Sequence, residues 1–511
     1  MVETQALTGD DLEIDHVWAV AVEGAPVELS DLARERMRAA REVVERAAAS
    51  SERTYGVNTG FGQLVTQTIP SELAEELQIR LLRSHACGVG EPYPDEIVRA
   101  ALLLRANALA VGASGTRAEV AELLLECLGR GVLPRVPSRG SVGASGDLAP
   151  LAHLALPLIG EGEAWFDGEL VAGADALRRA GLEPLALRAK EGLSLINGTQ
   201  FMAAFGALGV VRARRLAAAA DIACALAVEA LQGSRIAFSP EVHALRPLRG
   251  QAESAENLLS LLEGSTIMDS HRWCDRVQDA YSLRCAPQVH GACRDLLRYV
   301  GETVAVELNA ATDNPLVLVD EGEIVSAGNF HGQPLAFALD AMTMAVSELA
   351  SISERRTERM VNPGLSDGLP PFLAPNGGLN SGFMIPQYVA AALVSENKSL
   401  AHPASVDSIP TSAGQEDHVS MGNAAGLKAW QVVANAERAL AIELLAGAQA
   451  VEFLAPLAPG RGSEAARRFV RSLSQRVIED RSLSVDIEAV ATAIRDGSLV
   501  DAVEAETGEL R

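Results

Sequence analysis

The spacing of apolar residues predicts helices along most of this chain. Apolar positions recur every three or four residues with polar positions between them, which is the period of an amphipathic helix. Ser30 is placed to cap a helix that runs to about residue 49. The same pattern predicts helices at about 71–86, 94–111, 117–130, 201–232, 287–312, 331–359, 385–400, 422–453, 463–478 and 485–496.

Several of these predicted helices are much longer than the usual ~11–12 residues. They indicate a bundle whose helices are buried on more than one side, by the chain itself or by other subunits. The apolar stretch 201–232 is interrupted by Arg212, Asp221 and Glu229, so it predicts a buried helix rather than a membrane span.

Strand patterns are weak by comparison. They predict one hairpin near 164–171, with Asp167 and Gly168 in its turn, and another near 316–325. We therefore predict an all-α fold, a long central helical bundle with minor short hairpins. We divide the chain into an N-terminal domain, residues 1–200, and a long-helix bundle with a C-terminal helical region, residues 201–511.

Composition narrows the class of partner. Hydrophobic residues make up 48% of the 511 residues, and aromatic residues only 4%, so Ala and Leu fill the core and favour helices. Lys and Arg number 43 against 67 Asp and Glu, a net charge of −24. So acidic a surface repels nucleic acid and anionic membranes, and we expect neither as a partner.

The cysteines indicate a reducing compartment. Cys87, Cys127, Cys224, Cys274, Cys285 and Cys293 form no CxxC pair and no spacing typical of zinc. We expect reduced thiols in a cytoplasmic protein, and no bound metal. The first residues, Met-Val-Glu-Thr-Gln, lack the basic and apolar layout of a secretory signal.

The Gly-rich segment 139–150 holds a tripeptide that could build its own electrophile, Ala144-Ser145-Gly146. Attack of the Gly146 amide nitrogen on the Ala144 carbonyl carbon would close a five-membered ring. Loss of two waters, one carrying away the Ser145 hydroxyl, would leave an exocyclic methylene group on an imidazolone. Small neighbouring residues allow the backbone to fold tightly enough for this closure.

The chain contains a control for this motif. Ala113-Ser114-Gly115 has the same three residues, but Thr116 and Glu119 follow with the spacing of a capping box that opens a helix. The tripeptide alone is therefore a weak signal, because it also fits a turn before a helix. The surrounding residues decide between the two interpretations.

With those surroundings, Gly-Ser-Val-Gly-Ala-Ser-Gly-Asp-Leu-Ala-Pro-Leu-Ala-His, the segment 140–153 resembles the aromatic amino acid ammonia-lyases. The resemblance covers about residues 50–455. Five further stretches carry it in order: Tyr-Gly-Val-Asn-Thr-Gly-Phe-Gly (55–62), Ser-Leu-Ile-Asn-Gly-Thr (194–199), Val-Gln-Asp-Ala-Tyr-Ser-Leu-Arg-Cys-Ala-Pro-Gln (277–288), Gly-Asn-Phe-His-Gly (328–332) and Gly-Leu-Asn-Ser-Gly-Phe-Met-Ile-Pro-Gln (378–387).

The resemblance implies the helical fold of the ammonia-lyase and fumarase type and elimination of ammonia from an amino acid. It implies that Ala144, Ser145 and Gly146 become 4-methylidene-imidazol-5-one (MIO) autocatalytically, with no external cofactor. It also implies a homotetramer whose active sites draw on several subunits. Tyr55 matches the family's loop tyrosine and would act as the base; its Gly-rich loop, residues 54–63, is expected to form a lid.

Further site residues follow from the same resemblance. Tyr281 would contact MIO or assist proton transfer. Arg284 would bind the substrate carboxylate, for which a fork-shaped cation is suited. Asn197 and Gln278 would hydrogen-bond MIO or the polar end of the substrate. Phe330 would pack near the substrate ring, with ordinary core packing as the alternative.

Two segments bear on the choice of substrate. Ser84-His85 resembles the histidine-acting members, whereas phenylalanine-acting members look like Phe-Leu there and tyrosine-acting members like His-Leu. Gln415-Glu416 stands where the phenylalanine and tyrosine enzymes carry Asn-Gln. His85 and Glu416 can both hydrogen-bond an imidazole. The resemblance thus implies conversion of the small molecule L-histidine to trans-urocanate and ammonia.

Four positions depart from the histidine-acting pattern: Ala280 replaces Pro, Gly414 replaces Asn, Gln333 replaces Glu and Cys87 replaces Ala. The segment around Ala280 is closer to the tyrosine lyases. Three alternatives therefore stay open: a phenylalanine or tyrosine lyase, an aminomutase that re-adds ammonia at the β carbon, and a non-catalytic helical scaffold.

Overall fold

The structure, a computed structural model, describes residues 4–50, 53–60, 67, 69–272 and 276–511. The chain forms two compact units, each assembled from separate stretches. The first is Met1–Val211, Val300–Asp340 and Pro403–Leu427; the second is Arg212–Tyr299, Ala341–His402 and Lys428–Arg511. The first unit contains the predicted N-terminal domain 1–200 and adds two later stretches. A domain boundary at residue 200 stays a prediction.

The described residues form twenty α-helices, which confirms the predicted all-α fold. The predicted helices are all present, with bounds within a few residues of those expected. The helices are α1 Ile14–Ala21, α2 Asp31–Ala49, α3 Ala74–His85, α4 Asp95–Ala110, α5 Ala118–Arg130, α6 Leu148–Ala155, α7 Gly173–Ala180, α8 Glu191–Ile196, α9 Gln200–Ala230, α10 Pro240–Ala244, α11 Arg249–Leu261, α12 Thr266–Ser270, α13 Tyr281–Arg284, α14 Ala286–Leu308, α15 Gln333–Val361, α16 Met384–Leu400, α17 Gly422–Val451, α18 Arg461–Leu473, α19 Ser484–Asp496 and α20 Ser498–Thr507.

Short strands complete the described structure. Both predicted hairpins are confirmed: β6 Glu163–Phe166 pairs with β7 Glu169–Ala172, and β8 Leu316–Leu318 pairs with β9 Glu323–Val325, each antiparallel. The sequence did not indicate the others, since two to four residues carry too little periodicity. These are β1 Gln5–Leu7 with β2 Val27–Leu29, β3 Val89–Pro92 with β5 Pro137–Arg139, and β4 Leu133–Pro134 with β6.

One capping prediction is confirmed and one is wrong. Ser30 caps α2, since its side chain accepts from the Ala33 N–H. The capping box at Thr116 does not form: α5 has Arg117 as its N-cap residue, with no side-chain cap. Glu191 takes that role from a distant segment, because its carboxylate accepts the Arg117 backbone N–H at 3.2 Å. Tertiary structure thus replaced the local cap.

The first unit holds a buried ion pair that fixes the position of α8. Lys190, with no exposed surface, donates from Nζ to Asp313 Oδ2 at 3.0 Å and to Ser194 Oγ at 2.9 Å. Burial lowers the pKa of Lys190, while Asp313 opposes that shift. Because Ser194 belongs to α8, this pair anchors the helix that ends just before Asn197.

The second unit is held by buried charges between long helices. Asp221 on α9 accepts from His290 Nδ1 at 2.7 Å and from Arg294 Nη2 at 2.6 Å. Arg356 on α15 pairs with Glu443 on α17, and it also donates to His290 Nε2 at 3.2 Å. Paired buried charges of this kind hold the helices in one specific arrangement, because separating a pair would leave an uncompensated charge in the protein interior.

The helix α15 is the one described helix long and apolar enough to cross a membrane. In its most apolar window, 72% of the residues are buried inside the protein. That burial is what a core helix shows. Residues 201–232, which the sequence predicted to be buried, form α9, whose apolar side chains are almost all buried.

Candidate active site

The turn before α6 places the tripeptide Ala144-Ser145-Gly146 in a tightly folded backbone. Ser145 has φ +44° and Gly146 φ +78°, both left-handed. At Gly146 a Cβ atom would lie 2.0 Å from the Gly198 carbonyl oxygen, so only glycine fits. With φ near +44° at Ser145, the Ala144 carbonyl carbon and the Gly146 nitrogen lie closer together than they would in an extended backbone. The strain and the close approach both suit ring closure at this turn.

Asn197 holds the turn from the end of α8. Its Nδ2 donates to the Ser145 carbonyl oxygen at 3.3 Å. The next residue, Gly198, accepts the Asp147 N–H at 2.7 Å. Asn197 Oδ1 is buried and has no hydrogen-bond partner among the described residues. An unsatisfied amide oxygen beside the tripeptide can accept a hydrogen bond from a ligand.

A buried arginine stands behind Asn197. Arg105 on α4 has no exposed surface, and its Nη1 donates to the Asn197 carbonyl oxygen and to Gln200 Oε1, each at 2.8 Å. Burial lowers the pKa of Arg105 to about 10, and Asp313 only partly opposes that shift. Arg105 Nε and Nη2 have no hydrogen-bond partner among the described residues. The site thus carries a poorly neutralised positive charge.

Asp147 follows the tripeptide directly and is fully buried. Burial raises its pKa to about 6, although donors from Met202, Ser141 and Asn423 oppose that shift. The carboxylate accepts the Met202 N–H at 3.0 Å and the Ser141 hydroxyl at 3.1 Å. It therefore links the turn to the first residues of α9.

A cavity of about 490 Å³ opens beside the turn in the first unit. This volume suits a single amino acid. The sequence-predicted residues that line it are Tyr55, His85, Ser145, Asn197 and Glu416. Tyr55 is half-buried in the turn at 55–57. Residues 61–63 of the expected lid lie outside the described residues, so the lid stays a prediction.

The carboxylate of Glu416 reaches the tripeptide. Ser145 Oγ donates to Glu416 Oε1 at 3.1 Å, and Thr411 Oγ1 donates to Glu416 Oε2 at 2.6 Å. Glu416 and His85 line this cavity and also a smaller one of about 220 Å³ on the Ala144 side of the turn. Two positions that are far apart in sequence therefore meet at one site.

His85 is the last residue of α3, and its ring is held by the helix itself. Nδ1 lies 2.9 Å from the Leu81 carbonyl oxygen, which can only accept. The proton is therefore assigned to Nδ1, and Nε2 keeps its lone pair. Burial lowers the pKa of His85, against the opposing effect of Glu416. A neutral imidazole of this kind can accept a ligand N–H.

Three predicted residues lie together in the second unit. Arg284 donates from Nη2 to Gln278 Oε1 at 3.0 Å and from Nε to the Asp279 carbonyl oxygen at 2.9 Å. Its guanidinium lies 4.7 Å from the centre of the Tyr281 ring, which is 72% exposed. Phe330 lies in a turn of the first unit, half-buried, and the described lining of the two cavities does not include it.

Three residues that contact the site residues were not predicted from the sequence: Arg105, Asp147 and Thr411. Arg105 had a signal, since it is the one charged residue in the mostly apolar stretch 100–110 of α4. Asp147 lies inside the motif, but its complete burial is a property of the folded chain. Thr411 had no signal, because its contact with Glu416 depends on a loop conformation. Among the described residues, no group of three or more His, Cys, Asp or Glu could hold a metal ion.

Comparison with known proteins identifies the family of this chain. A family model described as aromatic amino acid lyase matches residues 12–472. The histidine ammonia-lyase of Gloeobacter violaceus is 57% identical over 504 residues, covering 99% of this chain and 98% of that protein. The histidine ammonia-lyase of Anaeromyxobacter dehalogenans is 56% identical, covering 98% of this chain and 100% of its own.

Solved structures of related enzymes have the same fold as this chain. The crystal structure of histidine ammonia-lyase from Trypanosoma cruzi has a TM-score of 0.92 and 46% identity, covering 99% of this chain and 96% of its own. A tyrosine aminomutase from Streptomyces globisporus has a TM-score of 0.94 and 39% identity, with both chains fully covered. Because the family model matches residues 12–472 and the relatives are aligned over nearly the whole chain, this chain belongs to the aromatic amino acid lyase family.

Proposed function

We propose that this protein is a histidine ammonia-lyase that converts L-histidine to trans-urocanate and ammonia. As a carbon–nitrogen lyase of this family it must expel an amine and remove a β proton. The observation that carries the choice of histidine is that His85 and Glu416 line the same cavity as Ser145. A lone pair on His85 Nε2 and a carboxylate both accept N–H groups, which imidazole has and phenyl lacks.

The tripeptide fits the proposed MIO group. Ser145 and Gly146 are left-handed, Gly146 has no room for a Cβ, and Asn197 donates to the Ser145 carbonyl oxygen. The group, once formed, supplies an electrophile for the substrate amine. Asn197 holds the turn in place, while Tyr55 on the cavity wall is proposed to take the β proton.

Arg284 is proposed to bind the substrate carboxylate, and Gln278 to hydrogen-bond MIO or the polar end of the substrate. The guanidinium of Arg284 is already oriented by Gln278 and by the Tyr281 ring, which lowers the entropy cost of holding a carboxylate. Tyr281 is proposed to contact the MIO group or to assist proton transfer, and Phe330 to pack near the substrate ring.

We propose that the enzyme is a cytoplasmic homotetramer whose active sites draw on several subunits. Large apolar side chains are exposed on the long helices, among them Val306 at 73% on α14 and Tyr388 at 62% on α16. Such side chains are typical of a surface that another subunit covers. The five described cysteines are free thiols, which supports a reducing compartment; Cys274 lies outside the described residues.

The proposal is tested with the purified protein and a panel of L-histidine, L-phenylalanine and L-tyrosine, with products followed by absorbance. We expect turnover of L-histidine to urocanate. Chromatography of the products separates a lyase from an aminomutase, because the latter gives a β-amino acid. Intact mass should show the loss of two waters at Ala144–Gly146. Phenylalanine or tyrosine turnover exceeding that of histidine would contradict the proposed substrate.

A triple variant tests the recognition of the ring. Ser84→Phe, His85→Leu and Glu416→Gln together should cut kcat/KM for L-histidine strongly and allow some turnover of L-phenylalanine. The reason is that a phenyl ring would cover the half-buried Glu416 carboxylate without pairing with it, which costs about 1–3 kcal/mol. MIO absorbance should be unchanged. If the ratio of the two kcat/KM values stayed the same, the ring would be recognised elsewhere.

A further inference from the structure

A closed loop carries Glu416 and begins at Thr411. The backbone N–H of Thr411 donates to the Glu416 carbonyl oxygen at 3.0 Å, and the Glu416 N–H donates back to the Thr411 carbonyl oxygen at 3.3 Å. Between them Ser412, Ala413 and Gly414 have φ of +50°, +54° and +85°. The loop is therefore a strained, backbone-closed turn whose ends hold each other.

The Thr411 side chain adds a contact that the loop itself does not need. Its Oγ1 donates to Glu416 Oε2 at 2.6 Å, a short, charge-assisted hydrogen bond. Thr411 has extended backbone, φ −127° and ψ 177°, which β-branched residues adopt without strain. The hydroxyl thus acts on the carboxylate, while the backbone hydrogen bonds close the turn.

The other carboxylate oxygen has a temporary partner. Glu416 Oε1 accepts from the Ser145 hydroxyl at 3.1 Å. Formation of the proposed MIO group consumes that hydroxyl as water. Oε1 then loses this donor on the wall of the cavity, while Oε2 stays engaged by Thr411.

We propose that Thr411 is a positioning residue for substrate selectivity, which fixes the Glu416 carboxylate so that Oε1 accepts the imidazole N–H of the substrate. This inference rests on the proposed function and assigns a determinant within the same site. By holding Oε2, the hydroxyl prevents the carboxylate from turning away from the ligand. A carboxylate that rotates freely would have to be immobilised when the substrate binds. The entropy cost of that immobilisation would offset part of the free energy of the hydrogen bond.

The selectivity arises from what each ring offers. Imidazole supplies an N–H that offsets desolvation of the fixed carboxylate, whereas phenyl supplies none. Loss of the Thr411 hydroxyl should therefore weaken the binding of L-histidine and leave the binding of L-phenylalanine nearly unchanged. A purely structural role for Thr411 would weaken both ligands alike.

The test compares Thr411→Val with Thr411→Ser in the full chain. Val keeps the shape and removes the hydroxyl, and Ser restores the hydroxyl. Thr8→Val is the matched control, because the Thr8 hydroxyl also donates to carboxylates, at 2.7 Å to Asp10, on the exposed surface. Each variant is measured for melting temperature, MIO absorbance, and kcat and KM for both amino acids.

We expect Thr411→Val to raise KM for L-histidine about tenfold, in keeping with loss of a charge-assisted hydrogen bond. Melting temperature and MIO absorbance should stay at parental values. Thr411→Ser should restore most of the affinity, and Thr8→Val should change nothing. An unchanged KM in Thr411→Val, or an equal loss for both amino acids, would overturn the inference.

Binding without turnover provides a second readout. In the Ser145→Ala chain, calorimetry with L-histidine should show about tenfold weaker binding once Thr411→Val is added. Equal binding with and without the hydroxyl would also contradict the role of Thr411. If the parent protein neither binds nor turns over L-histidine, the proposed function itself fails. If it does both and Thr411→Val has no effect, only the inference fails.

Discussion

Arg105 donates from Nη1 to the carbonyl oxygen of Asn197 at 2.8 Å, although no carboxylate forms an ion pair with it among the described residues. The amide group of Asn197 in turn donates to the Ser145 carbonyl oxygen at 3.3 Å. A buried charge on α4 therefore fixes the residue that holds the reactive turn. Burial of the Arg105 guanidinium carries a desolvation cost, and its retention there indicates that the orientation of Asn197 matters.

Arg105→Met should lower the yield of MIO and kcat at least tenfold, because Asn197 loses the donor that orients it. The free energy of unfolding should fall by no more than about 1–3 kcal/mol, since relief of the buried charge offsets part of the lost hydrogen bonds. Absorbance, intact mass and thermal unfolding measure these effects.

Arg99→Met is the control for that variant, since Arg99 lies on the same helix and donates to two backbone carbonyls, of Ala21 and Val20. It should leave MIO formation and kcat at parental values. Full MIO yield in Arg105→Met would contradict the orienting role.

Ser145→Ala should abolish the two-water loss in intact mass and nearly all activity, because the electrophile cannot form. Ser114→Ala provides the comparison within the second Ala-Ser-Gly. The hydroxyl of Ser114 is buried and has no hydrogen-bond partner among the described residues, so its removal should change the free energy of unfolding by less than about 0.5 kcal/mol. Near-normal turnover in Ser145→Ala would refute the MIO proposal.

Arg284→Lys should raise KM for the amino acid about tenfold or more, with a smaller effect on kcat. An ammonium group cannot donate to Gln278 Oε1 and Asp279 O and at the same time grip a carboxylate with a fork. Arg249→Lys, at an exposed pair with Glu253, should change neither constant. Unchanged KM in Arg284→Lys would assign the carboxylate to another residue.

Asp147 should make stability depend on pH. Its pKa is raised from 3.8 to about 6 in the folded protein, so the protonated carboxyl group stabilises the folded state. This contribution to the free energy of unfolding is fully present below about pH 4 and is lost as pH rises through about 6. The total is about 3 kcal/mol. The side chain of Asp147→Asn stays neutral at every pH. The melting temperature of the parent should therefore fall relative to that of Asp147→Asn as the pH rises from about 4 to about 6.5. A difference between the two that is constant over this range would contradict the assignment.

Repeating patterns and local motifs are enough to predict the helices and the reactive segment. The 3.6-residue period places the long helices, because an amphipathic face follows from the order of apolar and polar residues. Turn residues place the β6–β7 and β8–β9 hairpins. Local motifs identify the Ala144–Gly146 segment, Tyr55, His85, Asn197 and Glu416. Ser145 of that segment and the other four residues line one cavity.

Contacts between distant segments depend on how the chain folds. The spacing of Thr116 and Glu119 is that of a capping box, yet the helix begins one residue later, with Arg117 at its N-cap. The backbone N–H of Arg117 is bound by Glu191, a buried residue 74 positions further along the chain. Arg105 and Thr411 act through Asn197 and Glu416, and no local pattern records which side chain a buried donor will meet. Local order along the chain therefore specifies the helices and the reactive motif, whereas the orientation of the site arises from three-dimensional packing, which selects partners that sequence spacing does not.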